Sequence, residues 1–302
     1  MTLVSVVLPA FDRPHFLMPA IESVFAQQGV YFELLVIDDG SGEATRNLLA
    51  GLKHPSLRVI RREHSGNPGA VRNAGIREAR GRHVAFLDSD DLWQPWKLQR
   101  QCAGLRANTK ARWSYTACSH IDANGQSLTP EGVESWRVHV GPMAEAVGCL
   151  RAHSALPTVM AERELLLEVG AFDEGLSLYE DHDLWLRLAL RSEPDVVAEP
   201  LVQVRRHQSH YSGRDPLREA ECRAEFLERA WRHLAQRECR AELRRLRVLQ
   251  AARLARLRAE HGLTHEARRL LLSTWRDGVR HPRWWVDAAH CVMAPASSRG
   301  AP

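Results

Sequence analysis

His83-Val84-Ala85-Phe86-Leu87-Asp88-Ser89-Asp90-Asp91-Leu92-Trp93 is an apolar run that stops abruptly in three carboxylates within four residues. A stretch of β-formers ending in clustered acids reads as a buried strand that delivers charge to a sheet edge. Mutual repulsion makes such a cluster costly unless a cation sits there. Two carboxylates one residue apart at a strand end suit Mn²⁺ or Mg²⁺, which take oxygen ligands and leave room for phosphate and water. The stretch therefore points to a metal-bound diphosphate.

The segments upstream repeat the strand pattern. Val4 to Leu8 is a continuous apolar run that ends in Pro9-Ala10-Phe11-Asp12-Arg13-Pro14. A helix fits Pro14 to Gln28, with Phe16, Leu17, Ile21, Val24 and Phe25 on one stripe. Glu33 to Ile37 is a second strand and ends in Asp38-Asp39-Gly40-Ser41, where Ser41 can cap a helix from Glu43 to Leu52. Leu57 to Arg61 is a third strand. Gly66-Asn67-Pro68-Gly69 opens a helix that runs through Arg80 and is stopped by Gly81. This alternation predicts an α/β fold with a doubly wound, mostly parallel sheet. Ligands of such sheets bind beyond the carboxyl ends of the strands. Asp12, Asp38-Asp39 and Asp88/Asp90/Asp91 come from separate segments, yet this rule puts them on one rim.

Downstream the pattern is less regular. Pro95 to Asn108 reads as a helix and Trp113 to Ser119 as a strand, whereas residues 120–157 are punctuated by Gly and Pro. Glu162 to Val169 and Asp181 to Arg191 read as helices, and Val196 to Arg206 as an edge strand interrupted by Pro200. Beyond Arg214 the periodicity is helical. Phe226, Leu227, Ala230, Trp231 and Leu234 share one face; Leu243, Leu246, Leu249, Leu254 and Leu257 share another. A third helix after His261-Gly262 carries Leu263, Ala267, Leu270, Leu271 and Trp275. The expected organisation is a sheet domain over 1–213, an Arg-rich C-terminal α-helical appendage over 214–293 and a disordered tail over 294–302.

At 302 residues the chain can hold one large α/β domain with an appendage, or two modest domains. No apolar run approaches the ~18 residues that span a bilayer. Met1-Thr2-Leu3-Val4-Ser5 lacks the basic n-region of a signal peptide, so a cytoplasmic location is expected. The six cysteines form no Cys-x-x-Cys pair and read as reduced, mostly buried thiols. Residues 214–302 hold 19 Lys+Arg against 11 Asp+Glu, while residues 1–213 hold 22 against 26. The cationic tail could favour an anionic membrane surface, with the protein at its inner face, or a polyanionic acceptor. A solvated helical surface explains the same charge, and the preference for Arg throughout the chain looks like codon usage. No nucleic-acid partner is expected.

The first strand is not followed by Gly-x-Gly-x-x-Gly, and there is no Gly-x-x-x-x-Gly-Lys-[Ser/Thr] anywhere. A dinucleotide fold and a P-loop are thereby disfavoured. Instead, Val4-Ser5-Val6-Val7-Leu8-Pro9-Ala10-Phe11-Asp12-Arg13 resembles the opening strand of the family 2 glycosyltransferases, which have the GT-A fold. Val36-Ile37-Asp38-Asp39-Gly40-Ser41, Gly69-Ala70-Val71-Arg72-Asn73-Ala74-Gly75 and Leu87-Asp88-Ser89-Asp90-Asp91-Leu92-Trp93 resemble their next three blocks. Gly170-Ala171-Phe172-Asp173-Glu174 and Glu180-Asp181-His182-Asp183-Leu184-Trp185 resemble the acceptor-side block. The blocks stand in family order over roughly residues 3–210.

The resemblance implies an inverting transfer from a nucleoside-diphosphate sugar, most naturally a UDP-sugar, to a hydroxyl of a glycan or lipid-linked saccharide, with Mn²⁺ or Mg²⁺ as cofactor. Pro9, Ala10 and Phe11 would line the base pocket, Asp12 would lie near the ribose or base, and Asp39 would accept from the base N3–H. Helix capping is the rival role for Asp39, and Asp38 suits it better. Arg72 would reach the nucleotide, or else form a surface salt bridge. Asp88 would contact the ribose or metal region and Asp90 would ligate the metal, with Asp91 an alternative. Asp181 would be the general base, at a helix start that favours an ionised carboxylate, and Glu180 is the alternative. His207, in Val204-Arg205-Arg206-His207, would ligate the metal or touch the diphosphate, and Arg206 would steady the leaving phosphates; a solvated surface His is the rival. Ser154-Ala155-Leu156-Pro157-Thr158 would lie close to the sugar. Two other functions compete. A nucleotidyltransferase requires a Gly-rich, basic first loop, which Pro9-Ala10-Phe11-Asp12 is not. A non-catalytic glycan- or partner-binding protein of the same fold would lose the acids or the base, and both are present.

Overall fold

The computed structural model describes residues 3–128, 139, 142–152, 155–207 and 215–293. They fall into two compact units, one within Met1–Ala146 and Ala152–Ser209, the other within Val147–Arg151 and His210–Pro302.

The first unit opens with β1 (Leu3–Ala10), α1 (Pro14–Phe25), β2 (Tyr31–Asp38), α2 (Glu43–Gly51), β3 (Leu57–Arg61), α3 (Pro68–Glu78) and β4 (His83–Phe86). It continues through β5 (Leu92–Trp93), α4 (Lys97–Ala107), β6 (Trp113–Ile121), α5 (Met143–Gly148), β7 (Val159–Glu162), α6 (Arg163–Glu168), α7 (Glu180–Ala189) and β8 (Asp195–Arg205). Among the described residues the strands form one sheet in the order β3-β2-β1-β4-β7-β6-β8-β5. The pairs β3·β2, β2·β1, β1·β4 and β6·β8 are parallel, and β7 and β5 bring the antiparallel contacts. The expected mostly parallel α/β sheet is therefore present.

Both faces of β1, β2 and β4 are covered, which is why these strands read as continuous apolar runs rather than alternating ones. Val4, Val6, Leu8, Leu34 and Val36 pack with Leu17, Ile21 and Val24 of α1. α3 covers the other face, so closely that a Cβ on Gly75 would overlap the side chain of Val7. Gly75→Val is therefore expected to destabilise the chain by about 3 kcal/mol through overpacking. That corresponds to a fall of roughly 6–10 °C in a calorimetric melting temperature; an unchanged melt would show that the α3–β1 contact relaxes freely.

Two expectations change here. β8 is not the sheet edge, because β5 pairs outside it at Gln203 and Val202. Pro200 is accommodated by register shifts on either side of Ala117, where a missing N–H breaks no regular ladder. Ser41 does not cap α2: the N-cap is Gly42, without a side-chain cap, and the Ser41 hydroxyl accepts instead from Asp12 N–H at 3.1 Å.

The second unit is helical: α8 (Pro216–Leu234), α9 (Arg240–Glu260), α10 (Thr264–Gly278) and α11 (Pro282–Met293). Asp215 caps α8 by accepting from Leu217 and Arg218 N–H, both at 3.0 Å. Val248, Ala252, Ala255 and Ala259 of α9 pack with Ala267 and Leu271 of α10 and with Trp284, Ala288 and Cys291 of α11. The fourth helix extends the three read from periodicity. Trp284 is buried within this unit, whereas its neighbour Trp285 is exposed. All six cysteines are buried and free of disulfides. The expected tail over 294–302 lies outside the described residues.

Candidate active site

Register places the acids on one rim. Ala10 pairs with Asp38 across β1·β2, Asp39 N–H donates to the Ala10 carbonyl at 2.9 Å, and Val7 pairs with Phe86 just ahead of Asp88. Asp12, Asp39 and the Asp88–Asp91 turn thus leave the carboxyl ends of neighbouring strands.

On the β2 side, Asp38 is buried and structural. Its carboxylate accepts from Ser41 N–H at 2.9 Å and from Arg61 Nε at 3.0 Å. Asp39 holds the loop after β3. It accepts from the Ser65 hydroxyl at 2.9 Å, from Ser65 N–H at 3.1 Å and from Gly66 N–H at 3.2 Å, with His64 Nδ1 at 3.0 Å. Gly40, at φ +79°, allows this approach, since a Cβ there would sit 2.8 Å from His64 N. The Phe11 ring stacks on His64 at 4.0 Å, both half-exposed, and makes a flat aromatic shelf beside Asp39. Pro9 is half-buried and Ala10 buried behind it.

Asp12 and Arg13 are both left-handed, at φ 54° and 57°. Non-glycine residues bear a cost of roughly 1–2 kcal/mol each in that region, and such strain gathers at functional sites. The kink has two consequences. Asp12 Oδ1 accepts from Gly42 N–H at 2.9 Å, and Arg13 reaches Asp90 Oδ2 at 3.3 Å.

The acid turn itself divides its carboxylates. Asp90 Oδ2 meets His207 Nε2 at 2.8 Å, and the His207 ring stacks on Phe16 of α1 at 4.9 Å. Asp91 faces inward. It is buried, and its Oδ1 accepts from Arg205 N–H at 2.7 Å. Burial, reinforced by Asp90 and Asp88, pushes its carboxyl well above the usual range. Arg205 completes the clamp by donating from Nε to the Asp90 carbonyl at 2.8 Å and from its guanidinium to the carbonyls of Asp122 and Ala123. The end of β8 is thereby fixed to the acid turn, and His207 is delivered to Asp90. Arg206 points elsewhere, toward His120 Nε2 at 3.0 Å.

Arg72 links this turn to α7. Its two terminal nitrogens donate to Asp88 Oδ1 at 2.8 Å and Glu180 Oε1 at 2.9 Å. Burial works against the Arg72 charge, but Asp88 and Glu180 outweigh it and raise its pKa. Arg72 is thus a buried bridge, not a surface ion pair. Its neighbour Asn73 exchanges hydrogen bonds with Phe172, donating to the carbonyl at 2.8 Å and accepting from N–H at 2.9 Å. Phe172 and Phe86 pack edge-on at 5.3 Å, and Trp185 of α7 stacks near Trp113 at 6.2 Å. This aromatic core sets where the start of α7 lies.

Asp181 stands in the first turn of α7, after a left-handed Tyr179, and accepts from His182 N–H at 2.7 Å. Glu180 is largely buried, and burial together with the Asp181 charge pushes its carboxyl up to about 7 against the pull of Arg72. The site therefore sets two adjacent carboxylates on α7, one of them tied through Arg72 to Asp88, beside a carboxylate–imidazole pair. Leu156, Pro157 and Thr158 are buried, and the Pro157 carbonyl accepts from Trp93 Nε1 at 2.9 Å; Ser154 and residues 208–210 lie outside the described residues. Four contributors carry no role that the sequence alone assigns: His64, Ser65, Arg13 and Arg205. Arg13 and Arg205 stand within the family-like segments at the ends of β1 and β8. His64 and Ser65 follow a strand end, and that position was their one sequence signal.

Residues 5–124 match the family described as Glycosyl transferase family 2. A glycosyltransferase of Rickettsia felis is 33% identical over 205 residues, covering 68% of this chain and 33% of that protein. This chain spans 33%, 28% and 33% of three Rickettsia relatives. An Escherichia coli protein, UDP-Glc:alpha-D-GlcNAc-diphosphoundecaprenol beta-1,3-glucosyltransferase WfgD, is 29% identical over 188 residues, covering 62% of this chain and 69% of its own length. In fold, the chain is similar to S. aureus TarS 1-349 in complex with UDP-GlcNAc, with TM-score 0.62, 18% identity and coverage of 82% and 71%. Strand order, rim acids and sequence match agree, and this chain belongs to the glycosyl transferase family 2, on a fold of the GT-A type.

Proposed function

We propose that this chain is an inverting, metal-dependent glycosyltransferase that moves a sugar from a UDP-sugar to a hydroxyl of a glycan or lipid-linked acceptor. The observation that carries the reading is the convergence of Asp90–His207 and Glu180–Asp181 around the Arg72–Asp88 bridge. The UDP-Glc for which the E. coli relative is named and the UDP-GlcNAc bound by TarS favour a uridine nucleotide.

Asp90 offers an oxygen donor that both Mn²⁺ and Mg²⁺ accept, and His207 a nitrogen donor that suits Mn²⁺ better than the oxygen-preferring Mg²⁺. Two protein donors fit an ion that completes its shell with phosphate oxygens and water. Bound there, the ion would neutralise the departing diphosphate. Asp91, turned inward to Arg205, is assigned a structural role. Asp39 beside the Phe11–His64 shelf is assigned to the uracil N3–H. That role requires the 64–66 loop to give up one of its bonds to the carboxylate. Asp181 is the base that takes the acceptor hydroxyl proton, and Glu180, held by Arg72, sets the charge beside it.

The test is nucleotide release over UDP-, dTDP- and GDP-sugars, with Mn²⁺, Mg²⁺ or chelator and mixed glycan acceptors. Release from UDP-sugars at least tenfold above GDP-sugars, abolished by chelator, is expected. Metal-independent release, or none from any donor, would overturn the reading.

A further inference from the structure

We infer that the outward face shared by α10 and α11 binds the surface of an anionic lipid bilayer. On α10 and its C-cap, Leu272, Trp275 and Val279 recur at i, i+3 and i+7 and are 70%, 51% and 38% exposed. On α11, Trp285, Val286 and Met293 are 55%, 56% and 73% exposed. The two rows meet where Trp285 Nε1 donates to the Val279 carbonyl at 3.0 Å. The core of the helical unit is filled by Ala267, Leu271, Trp284, Ala288 and Cys291; the exposed side chains flank it, with Trp285 edge-on against Trp284 at 5.3 Å. Folding alone therefore gives no reason for an apolar outer face, and a contiguous patch of this kind marks a contact surface.

Charge selects the occupant. Arg268, Arg269, Arg276, Arg280 and Arg283 are all exposed on or beside these rows, and the Arg276 guanidinium lies 5.8 Å from the Trp275 ring. Three acids lie on the two helices. Asp287 is buried against Arg256 at 3.3 Å and Glu266 faces Arg258 at 4.0 Å, which leaves Asp277 against five arginines. Two tryptophans and aliphatic side chains ringed by arginine match the boundary between acyl chains and anionic headgroups. The same ring disfavours a second copy of the face, since like charges would be brought together. No described helix is long and apolar enough to cross a membrane, so the contact lies on the surface.

Sedimentation of the full chain with vesicles tests this. Vesicles containing one-third phosphatidylglycerol are expected to bind the chain at least tenfold more tightly than pure phosphatidylcholine. Binding should weaken with salt, and tryptophan emission should shift to the blue. Leu272→Ser/Trp285→Ser should lower binding about tenfold while the chain stays folded at the assay temperature, the lost Trp285–Val279 bond being a single exposed hydrogen bond. Arg276→Glu/Arg280→Glu, confined to exposed positions, should do the same and remove the salt dependence. Equal binding to both vesicle types, or wild-type binding by both double variants, would overturn the inference. So would a concentration-dependent dimer that Leu272→Ser/Trp285→Ser converts to monomer, because the face would then be a self-association surface.

Discussion

Asp181→Asn is expected to lower turnover by roughly 10²–10⁴-fold, the range a positioned general base contributes, with little change in donor affinity. The amide keeps the side chain's shape and its ability to accept from His182 N–H, so the start of α7 should hold its place. What is lost is proton acceptance. Glu180 makes the prediction discriminating, because its carboxyl titrates at about 7 through burial and the neighbouring Asp181 charge. Once ionised, Glu180 strengthens Asp181 as a base. Turnover in the unmodified enzyme should therefore rise with pH through about 7. Glu180→Gln should flatten that rise and leave the low-pH rate standing, whereas Asp181→Asn should depress the whole curve. The reverse result would move the base to Glu180.

The same shift has a cost in stability. Between the ordinary glutamate value of 4.5 and about 7 the folded chain keeps a proton on Glu180 that the unfolded chain has released. The folded state binds more protons in that window, so this group's contribution to stability falls as pH rises through it. Glu180→Gln should remove that slope from a series of thermal melts. A slope unchanged in the variant would place the titration on another group.

The parallel half of the sheet was legible because its information is local. Val4–Leu8 and Glu33–Ile37 are largely apolar runs with turn chemistry at their ends, and parallel strands buried on both faces need little else; Leu57–Arg61, the half-exposed edge strand, was marked by its β-formers between turns. The antiparallel half was not. That β7 inserts between β4 and β6 is a choice among distant partners, and no periodicity encodes it. Ser41 shows how local rules mislead: a capping residue stood at the right spacing, but the left-handed kink at Asp12 offered a competing donor. The acids themselves were legible as a cluster, but their division was not. Asp90 and Asp91 differ by one position in a turn, and the Arg205 backbone, 114 residues away, decides which one points inward. Arg72 was read as a nucleotide contact because nothing in the sequence shows that Asp88 and Glu180 converge on it from both sides.

That division yields the second large effect. Asp90→Ala should abolish the metal response of nucleotide release, a loss of at least 10³-fold at saturating Mn²⁺, as expected when an ion is asked for several kcal/mol of charge stabilisation. His207→Ala removes the other donor and should weaken the apparent metal affinity by roughly 10–100-fold. Asp91 supplies the contrast. Asp91→Asn retains an oxygen that can accept from Arg205 N–H, so activity and metal affinity should stay within a few-fold of the parent. Asp91→Ala strands that buried N–H, at about 1–3 kcal/mol, and frees the β8 end that presents His207. Its melting temperature should fall, and metal affinity should weaken with it. Titrating release against Mn²⁺ for all four variants, alongside thermal melts, separates a ligand from a support. A ligand loses metal affinity at constant stability, whereas a support loses both together. If Asp91→Asn erased the metal response and Asp90→Ala preserved it, the assignment within the acid turn would be inverted, and the inward-facing carboxylate would have to turn outward when the nucleotide arrives.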